Sequence, residues 1–482
     1  MRFLYLLLIL LLALSLISCG NTPEIFPTPS SKNLTVGFEK QLERSKVKST
    51  PTKSIRMTPL TSETKVTDSR KPTIFHPPSG DREFSLNLQE EFKNIVDAEF
   101  SVISEKAGIS VAVYTDGILW THSSGKASES IGMTTNTPLM ISSTSKTFLS
   151  ALILIQIENG LYELNDTLDF VLLEHPDFSS LPWDKINSQV TIHELLTMSS
   201  GLPDYNENMQ GKSDLTKRPE LTPIDLINLI QSQHNEQGTF KYNDTNVVFL
   251  GMIAELHSGQ TLAELYRQTF YEPLSITAIT LPEEGIEWHS KMIKDSGVNF
   301  SLPAMAMPYM DISRWSSGFG NMIDAAPFGF AYYIGAIGRT RFACCGIVST
   351  PENIARWAYH LYSTDGLAIS ESIRTQLKNS TSPTRIPPWS SSKVPDRIPS
   401  EYGYLVSKKI FHDKKSITTT YGHPGGGGGY SGWMHYSPEL DLAVSIMTNS
   451  EMKFSGTCRT EGLGNCIAMA IFKIYKENRP SN

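Results

Sequence analysis

The segment Ser143-Thr144-Ser145-Lys146 opens a run of apolar residues at helical spacing, which predicts a helix that ends near Asn159-Gly160. Residues three apart lie on one face of a helix, so Ser143 and Lys146 are expected within reach of each other. A serine hydroxyl is a weak nucleophile until a base takes its proton, and a desolvated lysine amine can be that base. An N-cap serine beside a surface lysine is the alternative, so this motif does not decide the function alone.

Two further motifs follow the first one along the chain. Tyr242-Asn243-Asp244 precedes an apolar helical run, and His423-Pro424-Gly425 opens a glycine-rich stretch that leads into strand-like residues. The order S-x-x-K, Tyr-x-Asp, His-x-Gly resembles the serine β-lactamase and penicillin-binding superfamily, whose motifs are S-x-x-K, S-D-N and K-T-G. The tyrosine and histidine variants resemble its class C β-lactamase, D-alanyl-D-alanine carboxypeptidase and family VIII esterase branch.

The likeness extends beyond the motifs, over roughly residues 90 to 478. VTIHELLTMSSGLPDY (Val190 to Tyr205) resembles the branch's T-I-x-x-L-L-T-H-T-S-G-L segment, and CGIVSTPENIARWAYHL resembles its G-G-L-V-S-T-x-x-D-L-A-R-F segment. The resemblance implies an α/β (α+β) fold: an antiparallel sheet flanked by the two terminal helices, plus a mostly helical lobe at roughly 160–340. The site is then expected in the cleft between the lobes.

The resemblance also implies roles for the motif residues. Ser143 is the nucleophile that becomes acylated, and Lys146 abstracts or relays its proton. Tyr242 resembles the family's general base and acid, and a nearby ammonium would favour its phenolate. A capping aromatic before a helix is the alternative for Tyr242, and a loop-ordering histidine is the alternative for His423.

Substrate contacts are expected at the second and third motifs. Asp244 stands where asparagine is usual, and it is expected to pair with Lys146 and to favour the charged form of the lysine. An ionised carboxylate also accepts hydrogen bonds but cannot donate to a substrate carbonyl. His423 stands where lysine is common and would place partial positive charge beside a substrate carboxylate. Pro424 has no amide hydrogen and suits only an edge strand. Gly425 and Gly426 complete the site, with the Gly426 amide as the second oxyanion donor beside that of Ser143.

The N-terminus predicts export. Met1-Arg2 precedes an apolar stretch that ends in Leu16-Ile17-Ser18-Cys19, which resembles a bacterial lipoprotein processing site. We therefore expect a signal peptide at 1–18, a lipidated Cys19, a disordered basic tether at 19–82 and the hydrolase domain at 83–482. An ordinary signal peptide or an uncleaved anchor is the alternative. This places the chain on the bacterial cell envelope.

Charge and cysteine content limit the partners. The chain carries a net charge of −7, and residues 1–80 are basic, so the rest is more acidic still, which argues against nucleic acid. No cysteine spacing resembles a zinc site, so neither metal nor cofactor is expected. Export permits a disulfide between Cys458 and Cys466. The Gly- and aromatic-rich stretch 313–342 either rims the substrate cleft or packs as an irregular insertion.

Together these observations predict a lipid-anchored serine hydrolase that cleaves a small ester, a β-lactam or a D-amino-acid amide or peptide. The departures at Asp244 and Pro424 favour esterase or peptidase activity over efficient β-lactamase activity. A module that binds cell-wall peptide or penicillin without turnover is the rival interpretation. The sequence does not fix the oligomeric state.

Overall fold

The computed structural model describes residues 82–101, 107–128, 131–215, 221–281, 305, 309–311, 322–324, 340–384, 400–413, 416–450 and 462–479. The helices are α1 Leu86–Phe100, α2 Lys146–Glu158, α3 Leu168–Val171, α4 Ile192–Leu196, α5 Met209–Leu215, α6 Pro223–Ile227, α7 Thr245–Ser258, α8 Leu262–Tyr266, α9 Pro351–Tyr362, α10 Glu371–Asn379 and α11 Leu463–Asn478. Short 3₁₀ turns span Ser142–Ser145, Phe178–Ser180 and Tyr205–Glu207, and a π-helical turn spans Arg267–Tyr271.

The strands are β1 Arg82–Glu83, β2 Gly108–Thr115, β3 Ile118–Gly125, β4 Leu139–Met140, β5 Ala278–Thr280, β6 Tyr309–Asp311, β7 Met322–Asp324, β8 Ile347–Ser349, β9 Ser382–Pro383, β10 Ser400–Tyr402, β11 Ser407–Asp413, β12 Ser416–Gly427, β13 Tyr430–Ser437 and β14 Leu442–Thr448. Nine of them form one sheet in the order β1-β3-β2-β14-β13-β12-β11-β10-β9. Its pairings are antiparallel except β1 with β3. A second sheet, β4-β8-β5, and the pair β6-β7 complete the described strands.

The large sheet is covered on both faces because side chains alternate along its central strands. On β2, Val111 and Val113 join one apolar cluster, whereas Ala112 and Tyr114 join the other. The first cluster includes residues of the terminal helices α1 and α11, among them Phe92. The expected mixed α/β fold, with an antiparallel sheet flanked by the terminal helices, is confirmed.

The other face of the sheet packs against α9, and the apolar cluster on this side also includes helices that are apolar nearly all round. Helices α2 and α7 are buried along most of their length, as expected for helices inside a core. Phe148 of α2 stacks on Trp357 of α9 with ring centroids 3.9 Å apart, which ties the helix behind the candidate nucleophile to the sheet. The C-terminus of α7 ends at Gly259, whose φ of 69° is the left-handed conformation that glycine accepts without strain.

Some expectations need correction, and others lie outside the described residues. The helix expected within residues 346–363, with its start near Ser349-Thr350-Pro351, begins at Pro351, and Ile347–Ser349 before it is a strand of the small sheet. Cys466 is disulfide-bonded, whereas its expected partner Cys458 lies outside the described residues. The same holds for residues 1–81, including Cys19, and for most of 313–342. Among the residues that the structure describes, no helix is both long and apolar enough to cross a membrane.

Candidate active site

The candidate nucleophile lies in a tight turn between the small sheet and a buried helix. Ser143 belongs to the 3₁₀ turn Ser142–Ser145, and α2 begins only at Lys146. Ser142 has a φ of 48°, a left-handed conformation that costs energy in a non-glycine residue and often marks functional turns. The side chain of Ser143 is half-buried, so its hydroxyl lies at the margin of the core.

The structure brings Lys146 into contact with Ser143 and with Asp244. Its Nζ is 3.0 Å from Ser143 Oγ and 2.8 Å from Asp244 Oδ1, and it donates to the backbone carbonyl of Cys344 at 3.2 Å. The Lys146 side chain is fully buried, whereas that of Asp244 is 17% exposed. An interior ammonium needs such partners, because an isolated buried charge is very costly.

The charges of this pair can be assigned. Burial disfavours the Lys146 ammonium, but Asp244 and the acidic groups beside it together outweigh this and hold the pKa of Lys146 well above its usual value. Burial also disfavours the Asp244 carboxylate, and Lys146 outweighs that effect, so the pKa of Asp244 is lowered. The resting pair is therefore ionised. Lys146 donates to the Ser143 hydroxyl and must pass on a proton before it can act as a base.

Asp244 is positioned by the preceding turn and by the segment that resembles the branch's T-I-x-x-L-L sequence. It is the residue before α7, and its Oδ2 accepts a hydrogen bond from Asn206 Nδ2 at 3.0 Å. Asn243 donates to the carbonyl of Leu202 at 2.7 Å, and Thr245 donates to that of Pro203 at 2.7 Å. The second motif is thus held by the loop that ends at Tyr205–Glu207.

Tyr242 lies beside Lys146 but does not carry the charge expected of it. Lys146 Nζ is 5.1 Å from the centroid of the Tyr242 ring, and Tyr242 as a residue is 40% exposed. Desolvation raises the pKa of Tyr242, and the opposing effect of Lys146 is smaller. The partial exposure of Tyr242 limits this desolvation, yet a raised pKa still disfavours the expected phenolate. Tyr242 is a phenol in the resting site, suited to donate a proton.

His423 is buried, neutral and engaged on both ring nitrogens. Nδ1 lies 2.6 Å from the carbonyl of Pro424, to which it donates, and Nε2 accepts from the hydroxyl of Tyr402 at 3.0 Å. Burial, reinforced by the Lys146 ammonium, lowers the pKa of His423 to about 3. His423 is therefore uncharged at neutral pH, and the partial positive charge expected of it is wrong. Its place among the substrate-binding residues stays a prediction.

The third motif lies on a locally open edge of the sheet. In the described pairing, β12 contacts β11 only as far as Gly422, while Pro424 still pairs with Trp433 of β13. The open side instead faces the nucleophile turn, where Thr144 Oγ1 donates to the carbonyl of His423 at 3.0 Å. Pro424 thus lies where β12 pairs with β13 alone, the kind of edge position in which proline is found.

The two motif glycines have different surroundings. A Cβ on Gly425 would lie 2.1 Å from the carbonyl oxygen of Ile141, so only glycine allows β12 to approach the chain before Ser143 this closely. A Cβ on Gly426 would meet nothing within 4 Å. Open space beside Gly426 leaves room for a substrate carbonyl, as the expected oxyanion role requires; that role stays a prediction.

The structure also adds residues that the motifs did not indicate. The thiol of Cys345 lies 3.8 Å from Ser143 Oγ and 3.7 Å from Lys146 Nζ. Desolvation opposes its ionisation, but Cys344 and Lys146 outweigh this and lower the pKa of Cys345 to about 6. The guanidinium of Arg341 lies 3.3 Å from where a Cβ on Gly427 would stand. The motifs pointed to neither side chain: Arg341 lies at the end of the stretch 313–342, and Cys345 opens the segment CGIVST without belonging to any of the three motifs.

The sequence model of the family described as Beta-lactamase matches residues 96–460, a span that holds the whole site.

The chain belongs to the beta-lactamase family.

Solved structures agree on the fold. D-amino acid amidase from Ochrobactrum anthropi SV3 is 18% identical, with a TM-score of 0.59 over 82% of this chain and 99% of that chain. A D-stereospecific amidohydrolase from Streptomyces sp. is 16% identical, with a TM-score of 0.57 over 80% and 98%. A penicillin binding protein from Bacillus halodurans is 18% identical, with a TM-score of 0.52 over 76% and 95%. This beta-lactamase-family chain is a serine hydrolase, as the motifs predicted.

Proposed function

We propose that this hydrolase cleaves amides or esters of D-amino acids through an acyl-enzyme on Ser143. The observation that carries the proposal is the position of Lys146 Nζ, in contact with Ser143 Oγ at 3.0 Å and with Asp244 Oδ1 at 2.8 Å. A nucleophile beside a positioned proton carrier, with a third group orienting that carrier, is the arrangement that covalent catalysis uses.

The proton balance of acylation follows from these contacts. One proton moves from Nζ to Asp244 Oδ1, which leaves a neutral amine beside the Ser143 hydroxyl. The amine takes the hydroxyl proton as Oγ bonds to the substrate carbonyl carbon, and that proton ends on the leaving group, directly or by way of the Tyr242 hydroxyl. Water then attacks the ester and releases the acid. The open space beside Gly426 receives the carbonyl oxygen in this scheme.

The charges near Ser143 support a substrate whose acyl part is not anionic. The carboxylate of Asp244 would repel an anionic acyl group, and His423, with its pKa lowered to about 3, offers no compensating charge at neutral pH. An amino-acid amide or ester carries a positive ammonium and a neutral leaving group. Two of the fold's solved relatives are named as acting on D-amino acid amides or as D-stereospecific, which supports the D configuration.

The test compares substrates on the full chain. The second-order rate constants for D- and L-phenylalanine amide, a short-chain nitrophenyl ester and a chromogenic cephalosporin are measured side by side. We expect turnover of the D-amide and the ester, with the L-amide and the cephalosporin slower. A D-alanyl-D-alanine dipeptide shows whether Arg341 admits a carboxylate. A stable adduct with no turnover of any substrate would instead support the cell-wall-binding module.

Anchoring through Cys19 is also part of the proposal, and it rests on the processing-site resemblance at Leu16 to Cys19. Cys19→Ser in the full chain should release the protein from membranes or block its processing. Fractionation unchanged from that of the unaltered chain would show that the anchor is something else.

A further inference from the structure

Three metal-type donors meet beside the nucleophile, two of them on buried cysteines and one on the partly buried Asp244. The two thiols of Cys344 and Cys345 and a carboxylate oxygen of Asp244 all lie within 4.8 Å of one another, and both cysteines are free of disulfides. We propose that these three residues form a binding site for a thiophilic divalent cation such as Zn²⁺ or Cd²⁺, and that its occupation inhibits the hydrolase. The inhibition rests on the proposed function, whereas the binding does not.

The donor set and its spacing suit a tetrahedral ion. Zn²⁺ binds cysteine sulfur at about 2.3 Å and carboxylate oxygen at about 2.0–2.2 Å, which sets tetrahedral ligands roughly 3.4–3.8 Å apart. The three donors need to close by only about 1 Å from their upper separation of 4.8 Å to reach that spacing. Ser143 Oγ, 3.8 Å from Cys345 Sγ, lies at the distance expected of a fourth position.

The charges of such a complex balance inside the core. A metal binds thiolates, so each thiol that is still protonated releases its proton as the ion enters. Two thiolates and the Asp244 carboxylate then carry three negative charges against the two of the cation and the one of the Lys146 ammonium. A neutral cluster avoids the cost of an uncompensated charge at a position where Lys146 is fully buried.

The donors are also held in place by contacts outside the cluster. Oδ2 of Asp244 accepts from Asn206 Nδ2 at 3.0 Å, which leaves Oδ1 directed toward Lys146. The amide of Cys344 donates to the carbonyl of Phe342 at 2.6 Å across Ala343, whose φ is 61°. Such outer contacts orient ligands and raise metal affinity.

A thiol at position 345 is not a requirement of the fold. In the segment CGIVST, Cys345 stands where the branch's resembling segment has its first glycine. Small residues are thus compatible with this backbone, which makes Cys345→Ala a conservative change. The thiol is a feature of this chain, placed against the two atoms that begin the reaction.

Occupation of the site would interrupt the proton path. A cation bound to Asp244 Oδ1 competes with Lys146 Nζ, which is 2.8 Å from that oxygen in the resting site. The same ion would lie beside the Ser143 hydroxyl. The cation and an acylating substrate should therefore exclude each other.

Direct binding tests the proposal independently of turnover. The reduced, chelator-treated full chain is titrated with Cd²⁺, read by the ultraviolet sulfur-to-cadmium absorption, and with Zn²⁺ in competition with a chromophoric chelator. We expect one equivalent that is lost in Cys344→Ala and in Cys345→Ala and weakened at least tenfold in Asp244→Asn. Equal stoichiometry and affinity in the double cysteine variant, or no binding by the unaltered chain, would overturn the site.

Two controls separate this result from the fate of the proposed function. Ser143→Ala, which cannot be acylated, should still bind one equivalent of Cd²⁺, so the site is tested even if no substrate is ever turned over. Thermal unfolding of each cysteine variant without metal establishes that it is folded. In the unaltered chain, Zn²⁺ should slow covalent labelling of Ser143, and Cys345→Ala should remove that sensitivity; equal slowing in both would overturn the inhibitory role.

Discussion

Replacing Asp244 by asparagine removes one charge of a buried pair at almost constant shape. With Nζ and Oδ1 2.8 Å apart, the direct attraction is about 6 kcal/mol at an effective dielectric constant near 20. Desolvation offsets part of it, and losing one partner of a buried pair typically costs about 3–5 kcal/mol. Lys146 can limit this loss by giving up its proton. We therefore expect Asp244→Asn to lower the free energy of unfolding and to lower the pKa of Lys146.

The pH range in which Asp244→Asn is less stable than the unaltered chain follows from the directions of the pKa shifts of Lys146 and Asp244. Lys146 has a raised pKa, so its contribution is complete below its usual value of 10.5 and disappears as the pH rises through the folded-state pKa. Asp244 has a lowered pKa, so its contribution is complete above its usual value of 3.8 and disappears as the pH falls. The difference in stability between the unaltered chain and Asp244→Asn should thus be largest between these values.

The same change should alter substrate preference. A neutral Lys146 accepts the Ser143 proton more readily, and the asparagine amide can donate to a β-lactam side-chain carbonyl that the carboxylate repels. A missing hydrogen bond or a like-charge repulsion of this kind is worth about 1–3 kcal/mol, or roughly ten- to a hundredfold in rate. We expect the ratio of kcat/KM for a chromogenic cephalosporin to that for a short-chain nitrophenyl ester to rise by this factor.

The assay measures both rate constants across pH on the unaltered chain and on Asp244→Asn, with the unfolding free energy of each as a control for damage to the fold. A ratio that stays unchanged or falls would refute the reasoning. Asp244 would then serve only as the proton acceptor of the relay, and not as the group that discriminates between substrates.

Three further predictions concern the fold around the site. His423→Asn should make the free energy of unfolding less sensitive to acid. A histidine whose pKa is lowered to about 3 destabilises the fold as the pH falls below 6.5, by about 2 kcal/mol at pH 5. An unchanged pH dependence of chemical denaturation would contradict this. Gly425→Ala should lower the unfolding free energy by about 1–3 kcal/mol through its clash with a backbone carbonyl, whereas Gly426→Ala, the matched control, should not. Non-reducing peptide mapping should find Cys466 joined to Cys458; any other partner would disprove the expected pairing.

Much of the architecture follows from local pattern. The strand-like runs Ile109 to Tyr114 and Ile118 to Ser123, joined by the turn residues Thr115-Asp116-Gly117, predict a hairpin. The structure has it as β2 and β3, with positive φ values at Asp116 and Gly117. Helical periodicity predicted α2 and its end near Asn159-Gly160. These elements could be predicted from the sequence because the residues of each element largely determine it.

Long-range features were not accessible in this way. Ile347–Ser349 was not predicted as a strand, because β4 and β5, which pair with it, come from distant parts of the chain. The burial that neutralises His423 depends on strands and helices brought together only in the fold. The contact between Lys146 and Asp244, by contrast, was expected from the motif resemblance and is present. The cluster of Cys344, Cys345 and Asp244 likewise joins residues about a hundred positions apart.

The most direct test of the account is to find which atom carries the acyl group. The full chain is mixed with the nitrophenyl ester, quenched early, digested and examined by mass spectrometry, alongside Ser143→Ala and Cys345→Ala. The account predicts an acyl adduct on the peptide that holds Ser143, and the same adduct in Cys345→Ala. In Ser143→Ala the adduct should be absent and the activity lower by several orders of magnitude. An adduct on Cys345, 3.8 Å from Ser143 Oγ, or labelling that survives in Ser143→Ala, would contradict it.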